Sequence, residues 1–149
     1  MRFIKKEERA MKKVIIFRGC PGSGKTTALK RDYPSAFVCS AVNYHTDHLG
    51  NYKFFPKGIS ESHKYCQNAF LAALQNSLPL VAVDNTNVRF WEFEWYIDTA
   101  EKHGYSVEVF RLKTDDPIAA ARRNVHGVSE EVVMRMYNNM EDYPGEIFI

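Results

Sequence analysis

The chain has no apolar run approaching the roughly eighteen residues that a membrane-spanning helix needs. Its first ten residues, Met1 to Ala10, carry charges but no hydrophobic stretch of the length a secretory signal requires, so the expected compartment is the cytoplasm and no membrane partner is expected. Cysteine is scarce. Cys20, Cys39 and Cys66 are three in number, at spacings that fit neither a zinc site nor a disulfide framework, and they read as free thiols. Excess charge is also missing: a net charge of +2 gives no global basic field, so any contact with nucleic acid has to be built locally. His45, Asp47 and His48 stand close together without further ligands at a fitting distance, which argues against a metal cluster. No internal repeat, linker or low-complexity stretch divides the sequence. With 149 residues, 45% of them hydrophobic, residues 13–149 read as one globular domain and residues 1–12 as an N-terminal extension.

What the chain does have is Gly19-Cys20-Pro21-Gly22-Ser23-Gly24-Lys25-Thr26, the pattern G-x-x-x-x-G-K-[ST], directly after the apolar run Val14-Ile15-Ile16-Phe17. Glycines in such a loop reach backbone conformations that other residues resist, so that successive N–H groups turn inward around a phosphate, and the following helix adds its positive end. Lys25 supplies a point charge for the β and γ oxygens, and Thr26 a hydroxyl for Mg²⁺. The nucleotide-binding set is therefore Gly19 to Thr26 together with Thr27, and ATP with Mg²⁺ is the expected ligand. Cys20 lies inside this loop, where positive charge would lower a thiol pKa, but its expected role is to fill space.

Around the loop, short apolar runs alternate with helical patterns. Strands are expected at residues 14–18, 36–39, 80–84 and 107–112, with helices at 24–32, from a Ser60 cap to 76, at 89–103, at 118–124 and at 130–141. In the second helix Tyr65, Ala69, Leu71, Ala72 and Leu74 are expected to supply most of the buried face. Asp116-Pro117 opens a helix with a capping residue and a proline at the first position, and Ser129 caps the next. Residues 41–62 follow no period and read as a long excursion, and residues 147–149 as a short apolar tail. The aromatics of Phe90 to Ile97, at helical spacing beside a sheet, read chiefly as core. Alternating strands and helices imply a three-layer α/β domain of the phosphate-loop NTPase type, with a mainly parallel sheet and a helical lid, as in nucleotide kinases.

Two further places bear on chemistry. Asp84 ends an apolar strand, where a carboxylate completes a Mg²⁺ shell directly or through water, and it also organises the Asn85-Thr86-Asn87 turn. Arg122 and Arg123 close the helix that would form the lid, where a guanidinium can stabilise charge on a moving phosphoryl group; being about 100° apart, at most one of them faces the nucleotide. The catalytic set is thus Lys25, Asp84, Arg122 and Arg123, with Thr26 and Asp84 as metal-side residues.

The phosphate loop, His63 with Gln67, the Asp84-Asn85-Thr86-Asn87 turn and Ala121-Arg122-Arg123-Asn124-Val125-His126-Gly127-Val128-Ser129 occur in an order that resembles the polynucleotide 5′-hydroxyl kinase branch of phosphate-loop kinases. Within it the likeness is to kinase domains of the NEDD4-binding-protein-2-like, AAA_33 type, over residues 13–142. The resemblance implies that Lys25 and Thr26 bind ATP and Mg²⁺, that Arg123 meets the transferring phosphate, and that Asp84 orders the acceptor side. It also implies a general base after the second strand, where this chain has Val42; valine cannot take a proton, so activity toward the usual acceptor is expected to be weakened or rebuilt, with Asp47, His45 or Asp84 as substitutes. Three readings follow: a kinase acting on a hydroxyl of a nucleic acid, DNA or RNA, at its 5′ end or at a modified nucleotide; a kinase of a nucleoside, nucleotide or small metabolite; or an ATP-binding module without turnover.

Overall fold

The computed structural model describes residues 12–41, 59–124 and 127–149. Ten elements follow in order: β1 (Lys13–Arg18), α1 (Lys25–Asp32), β2 (Phe37–Cys39), α2 (Ile59–Gln75), β3 (Leu80–Asp84), α3 (Phe90–Lys102), β4 (Ser106–Arg111), α4 (Pro117–Arg123), α5 (Glu130–Asn139) and β5 (Ile147–Phe148). The strands form one sheet in the order β2-β3-β1-β4-β5, and every pairing is parallel. This is the α/β architecture the alternating pattern called for. No helix of the described residues is long and apolar enough to cross a membrane.

β1 sits at the centre because it can be buried on both faces. Val14 and Ile16 point to one side, where they pack with Val81, Val83 and Val109 against Phe70 of α2 and Phe93, Tyr96 and Ile97 of α3. Ile15 and Phe17 point to the other, against Ala28 and Leu29 of α1. A third cluster, Cys20 with Ala121 and Val133, joins the phosphate loop to α4 and α5, which form the helical lid.

Four expectations need correction. The tail at residues 147–149 supplies a fifth strand, held by Ile149 N donating to Arg111 O at 3.0 Å and Lys113 N donating to Ile149 O at 2.9 Å. α2 begins at Ile59, which puts Ser60 inside its first turn rather than ahead of it, and its buried face is Ser62, Cys66, Phe70, Ala73 and Leu74, while Tyr65 and Ala72 are exposed. The stripe at 66, 70, 73 and 74 follows the i, i+4, i+7, i+8 spacing, and Tyr65 lies one residue off it. α5 stops at Asn139 rather than 141, because Glu141 N turns to Val88 O at 2.9 Å and its carbonyl to Arg18. On α3 only half of the aromatic and apolar run is core: Phe93, Tyr96 and Ile97 are buried, and Trp91 is 74% exposed.

The last residue of β1 is the unusual one. Arg18 is 0% exposed. Its Nε donates to Asn87 O at 2.8 Å, Nη2 to Val88 O at 3.0 Å and Glu141 O at 2.6 Å, and Nη1 to Glu146 Oε1 at 2.5 Å. Its guanidinium carbon lies 4.6 Å from the centre of the Phe93 ring. Glu146 also receives Arg111 Nη1 at 3.3 Å and Tyr143 N at 2.8 Å. Removing one partner of a buried, hydrogen-bonded ion pair leaves an uncompensated charge, so Glu146→Ala should cost about 3–5 kcal/mol in urea denaturation. Asp142→Ala should cost under about 1 kcal/mol, since Asp142 meets Arg111 at 2.6 Å with a side chain 92% exposed. Equal losses in the two variants would contradict this account of Arg18.

Candidate active site

The carboxyl ends of β1, β3 and β4 bring the site together. The turn after β1 runs into α1 with Gly22 at φ +82° and Gly24 at φ +92°, and Gly24 caps α1 without any side chain taking the first-turn N–H groups. Those donors stay free for an anion. Thr27 follows, exposed, in the first turn. Gly19 N is anchored to Thr86 O at 3.1 Å, so the loop's start is fixed to the turn after β3.

Lys25 is half-buried beneath the loop, and burial pushes its ammonium pKa down while Asp84 and Cys20 pull it up. Thr26 Oγ1 donates to Asp84 Oδ2 at 2.9 Å. Asp84 is itself buried, and its other oxygen, Oδ1, has no hydrogen-bond partner among the described residues. A carboxylate oxygen buried without a partner beside a threonine hydroxyl is a hard oxygen donor set, and it fits Mg²⁺. Asp84 and Thr26 are the residues that would hold the ion.

On the opposite flank the lid helix rests directly on the loop. A Cβ placed on Gly22 would lie 1.8 Å from Ala120 O, and Arg123 Nη2 donates to Gly22 O at 3.2 Å. Asn124 holds the chain just after α4: its side chain donates to Ala121 O and to Val128 O at 2.9 Å and accepts from Val128 N at 3.1 Å. Asp116 caps α4 by accepting from Ala119 N at 3.0 Å, and Ser129 caps α5 by accepting from Val132 N at 3.3 Å. Arg122, one position round the helix, is exposed and makes no hydrogen bond or ion pair to any described residue. Of the two arginines only Arg123 is brought to the loop.

Cys20 is 1% exposed, and burial pushes its thiol pKa up against the pull of Lys25 and Arg111. It is packed against the lid as an apolar group, the filler role its position suggested. Val42, His45, Asp47 and His48, the positions that bear on the general base and on a metal cluster, lie outside the described residues, as do Val125 and His126.

Several contributors escaped the sequence reading. A cavity of about 260 Å³ opens beside Arg123, lined by Ser23, Lys113, Thr114, Asp115 and Asp116. It adjoins a second of about 190 Å³ that reaches Gly19, Arg111, Tyr137 and Phe148. Both lie on the β4 side of the loop, while Asp84 lies on the β3 side. Each residue of the Asp84–Asn87 turn also has its own anchor: Asn85 Oδ1 accepts from Ala41 N at 2.9 Å, and Asn87, at φ +48°, donates from Nδ2 to Phe17 O at 2.9 Å. The run of four polar residues at a strand exit was the available signal.

The profile of the AAA_33 family, described as an AAA domain, matches residues 14–143. The chain belongs to that family. Human NEDD4-binding protein 2 is 34% identical over 137 residues, which are 87% of this chain but only 8% of that protein. Among solved structures, a chain of the Pnkp1/Rnl/Hen1 complex superposes with a TM-score of 0.62 at 18% identity, covering 90% of this chain and 44% of that one. The APS kinase CysC of Mycobacterium tuberculosis, solved with AMPPNP and APS, gives 0.59 at 15% identity, covering 92% and 87%. These structural likenesses are likenesses of fold, and the fold is that of the phosphate-loop kinases.

If AAA_33 residue Arg123 meets the moving phosphate as its place on the loop suggests, Arg123→Ala should lower turnover by about 10²-fold or more while Arg122→Ala stays within about threefold. Steady-state phosphate transfer from ATP checks this, and the reverse ranking would overturn the orientation of the lid. Lys25→Ala should remove nucleotide affinity or turnover, read by fluorescent ATP-analogue titration and the same assay; unchanged values in both would remove the loop from the site.

Proposed function

We propose that this AAA_33 chain is an ATP- and Mg²⁺-dependent phosphotransferase that moves a γ-phosphate to a hydroxyl of a nucleic acid, at a 5′ end or on a modified nucleotide. The observation that carries the reading is the convergence on one loop of Lys25, the Thr26–Asp84 pair and the lid residue Arg123. Phosphoryl transfer asks little covalent chemistry of a protein; positioning and neutralisation of charge on the moving group supply most of the rate. The backbone of Gly22 to Lys25 grips the phosphates, Lys25 neutralises them from below, and Arg123 approaches from the lid. Held by Thr26 and Asp84, Mg²⁺ would contribute charge neutralisation at the phosphate oxygens.

The two flanks of the loop divide the substrates. The paired cavities beside Lys113 to Asp116 suit the nucleoside part of ATP, and that leaves the Asp84 flank, next to the exit of β2, for the acceptor. The nucleic-acid acceptor is supported by the order of the phosphate loop, His63 with Gln67, the Asp84-Asn85-Thr86-Asn87 turn and the Arg122-Arg123-Asn124 block. A small-molecule acceptor is the second reading, favoured by the likeness of fold to APS kinase, whose structure holds APS beside AMPPNP.

Incubation with γ-labelled ATP and Mg²⁺ against single-stranded DNA, RNA, duplex ends and a panel of nucleosides and metabolites tests the assignment. Label on oligonucleotide ends is the expected result. Label confined to small molecules moves the acceptor to the second reading, and tight ATP binding with no transfer anywhere removes the phosphotransferase reading altogether.

A further inference from the structure

Past Cys39 the second and third strands separate. The β2–β3 ladder ends with Cys39 opposite Val83, whereas β3 runs on to Asp84, paired with Phe17 of β1. Continued register would set Ala41 opposite Asn85. The bond found there comes from a side chain instead of the ladder: Ala41 N donates to Asn85 Oδ1 at 2.9 Å. The other end of the same carboxamide donates from Nδ2 to Cys66 Sγ of α2 at 3.5 Å. Asn85 is only 9% exposed, so one amide spans the gap between two strand ends and ties both to the helix behind them.

Open parallel sheets bind ligands beyond the carboxyl ends of their strands. The Ala41–Asn85 bond lies at that edge, one residue past Asp84 and on the flank away from the nucleoside cavities. Both ends of the Asn85 carboxamide are engaged within the protein, which leaves the residue to hold the two strand ends at a fixed distance rather than to touch a substrate. A half-buried backbone N–H that loses its acceptor is only partly rehydrated, so the bridge to Ala41 is costly to lose.

We propose that Asn85 is a positioning residue that fixes the spacing of the β2 and β3 exits on the acceptor flank, acting through Ala41 and leaving the nucleotide side untouched. The proposal rests on the phosphotransferase reading above. Its test uses three proteins, the unaltered chain, Asn85→Leu, which has similar bulk but no acceptor for Ala41, and Asn85→Asp, which keeps the accepting oxygen. Each is measured for the KM of a fluorescein-labelled 5′-hydroxyl oligonucleotide at saturating ATP, for the Kd of N-methylanthraniloyl-ATP, and for hydrogen exchange at the Ala41 amide.

Asn85→Leu should raise the oligonucleotide KM about tenfold and speed exchange at Ala41, while the Kd for the ATP analogue stays within about twofold. Asn85→Asp should restore most of the KM and slow exchange again. Should Asn85→Leu not fold, Asn85→Ser, too short to reach Ala41, takes its place. An unaltered protein that transfers phosphate, with a Leu variant whose KM or Ala41 exchange is unchanged or whose nucleotide affinity falls as far as its acceptor affinity, overturns the role of Asn85 alone. An unaltered protein that binds the analogue yet phosphorylates nothing overturns the phosphotransferase reading and takes the acceptor role with it.

Discussion

A guanidinium taken wholly out of water costs several kcal/mol unless its donors and its charge are matched, and Arg18 meets that demand with three carbonyls, one carboxylate and an aromatic face. Burial pushes its pKa down and Glu146 pulls it back up. The partners come from the turn after β3, the segment after α5 and the stretch before β5. Arg18 therefore sits at the end of β1, directly before the phosphate loop, and joins three segments that are also tied by Glu141 N to Val88 O and by Asn87 to Phe17 O. A planar fork with five N–H groups can do this where a lysine ammonium could not. The turn after β3 and the segment after α5 are held to the end of β1 through this side chain, beside the direct bond from Gly19 N to Thr86 O.

The lid is set by contact of a different kind. Ala120 O occupies the space a Cβ at Gly22 would need, and φ at Gly22 is in the region that favours glycine. The middle glycine of the loop thus serves two purposes, a backbone turn around phosphate and a seat for α4. Cys20 extends the seat by packing with Ala121 and Val133. Because the seat is backbone against backbone, the position of α4 and Arg123 over the loop is set by the loop itself. The arginine's own contact, to Gly22 O, is a solvent-exposed one that a better anionic partner can displace.

Much of this was legible in the sequence because it is local. The apolar run of β1 followed by the glycine loop, the caps at Asp116 and Ser129 and the polar turn at Asp84 each declare themselves within a few residues. What escaped is non-local. β5 is two residues long and exists because Arg111 and Lys113 exchange bonds with Ile149. Arg18 reads as a strand's last residue, since the carboxylate it needs is 128 positions away. The buried face of α2 lies one residue round from Tyr65, because Cys66, Phe70, Ala73 and Leu74 carry the period and dock on the sheet. The choice between Arg122 and Arg123 was open by helical geometry alone, and it is closed by where α4 docks.

The valine at position 42 weighs on the energetics of such a site in a definite way. A positioned general base contributes about 10²–10⁴-fold, close to 3–5 kcal/mol of barrier, whereas orientation and charge stabilisation together account for more than that in phosphoryl transfer. An early or loose transition state takes little proton from the attacking hydroxyl, so the loss of a base is felt least when the nucleophile is held in line. On the reading proposed above, the contacts from Asp84 to Thr26 and from Asn85 to Ala41 and Cys66 would act on holding rather than on proton transfer. On the proposed phosphotransferase reading, a chain that lacks the base but keeps those contacts would retain the larger part of the catalytic free energy, and its rate should depend more steeply on acceptor fit than on pH.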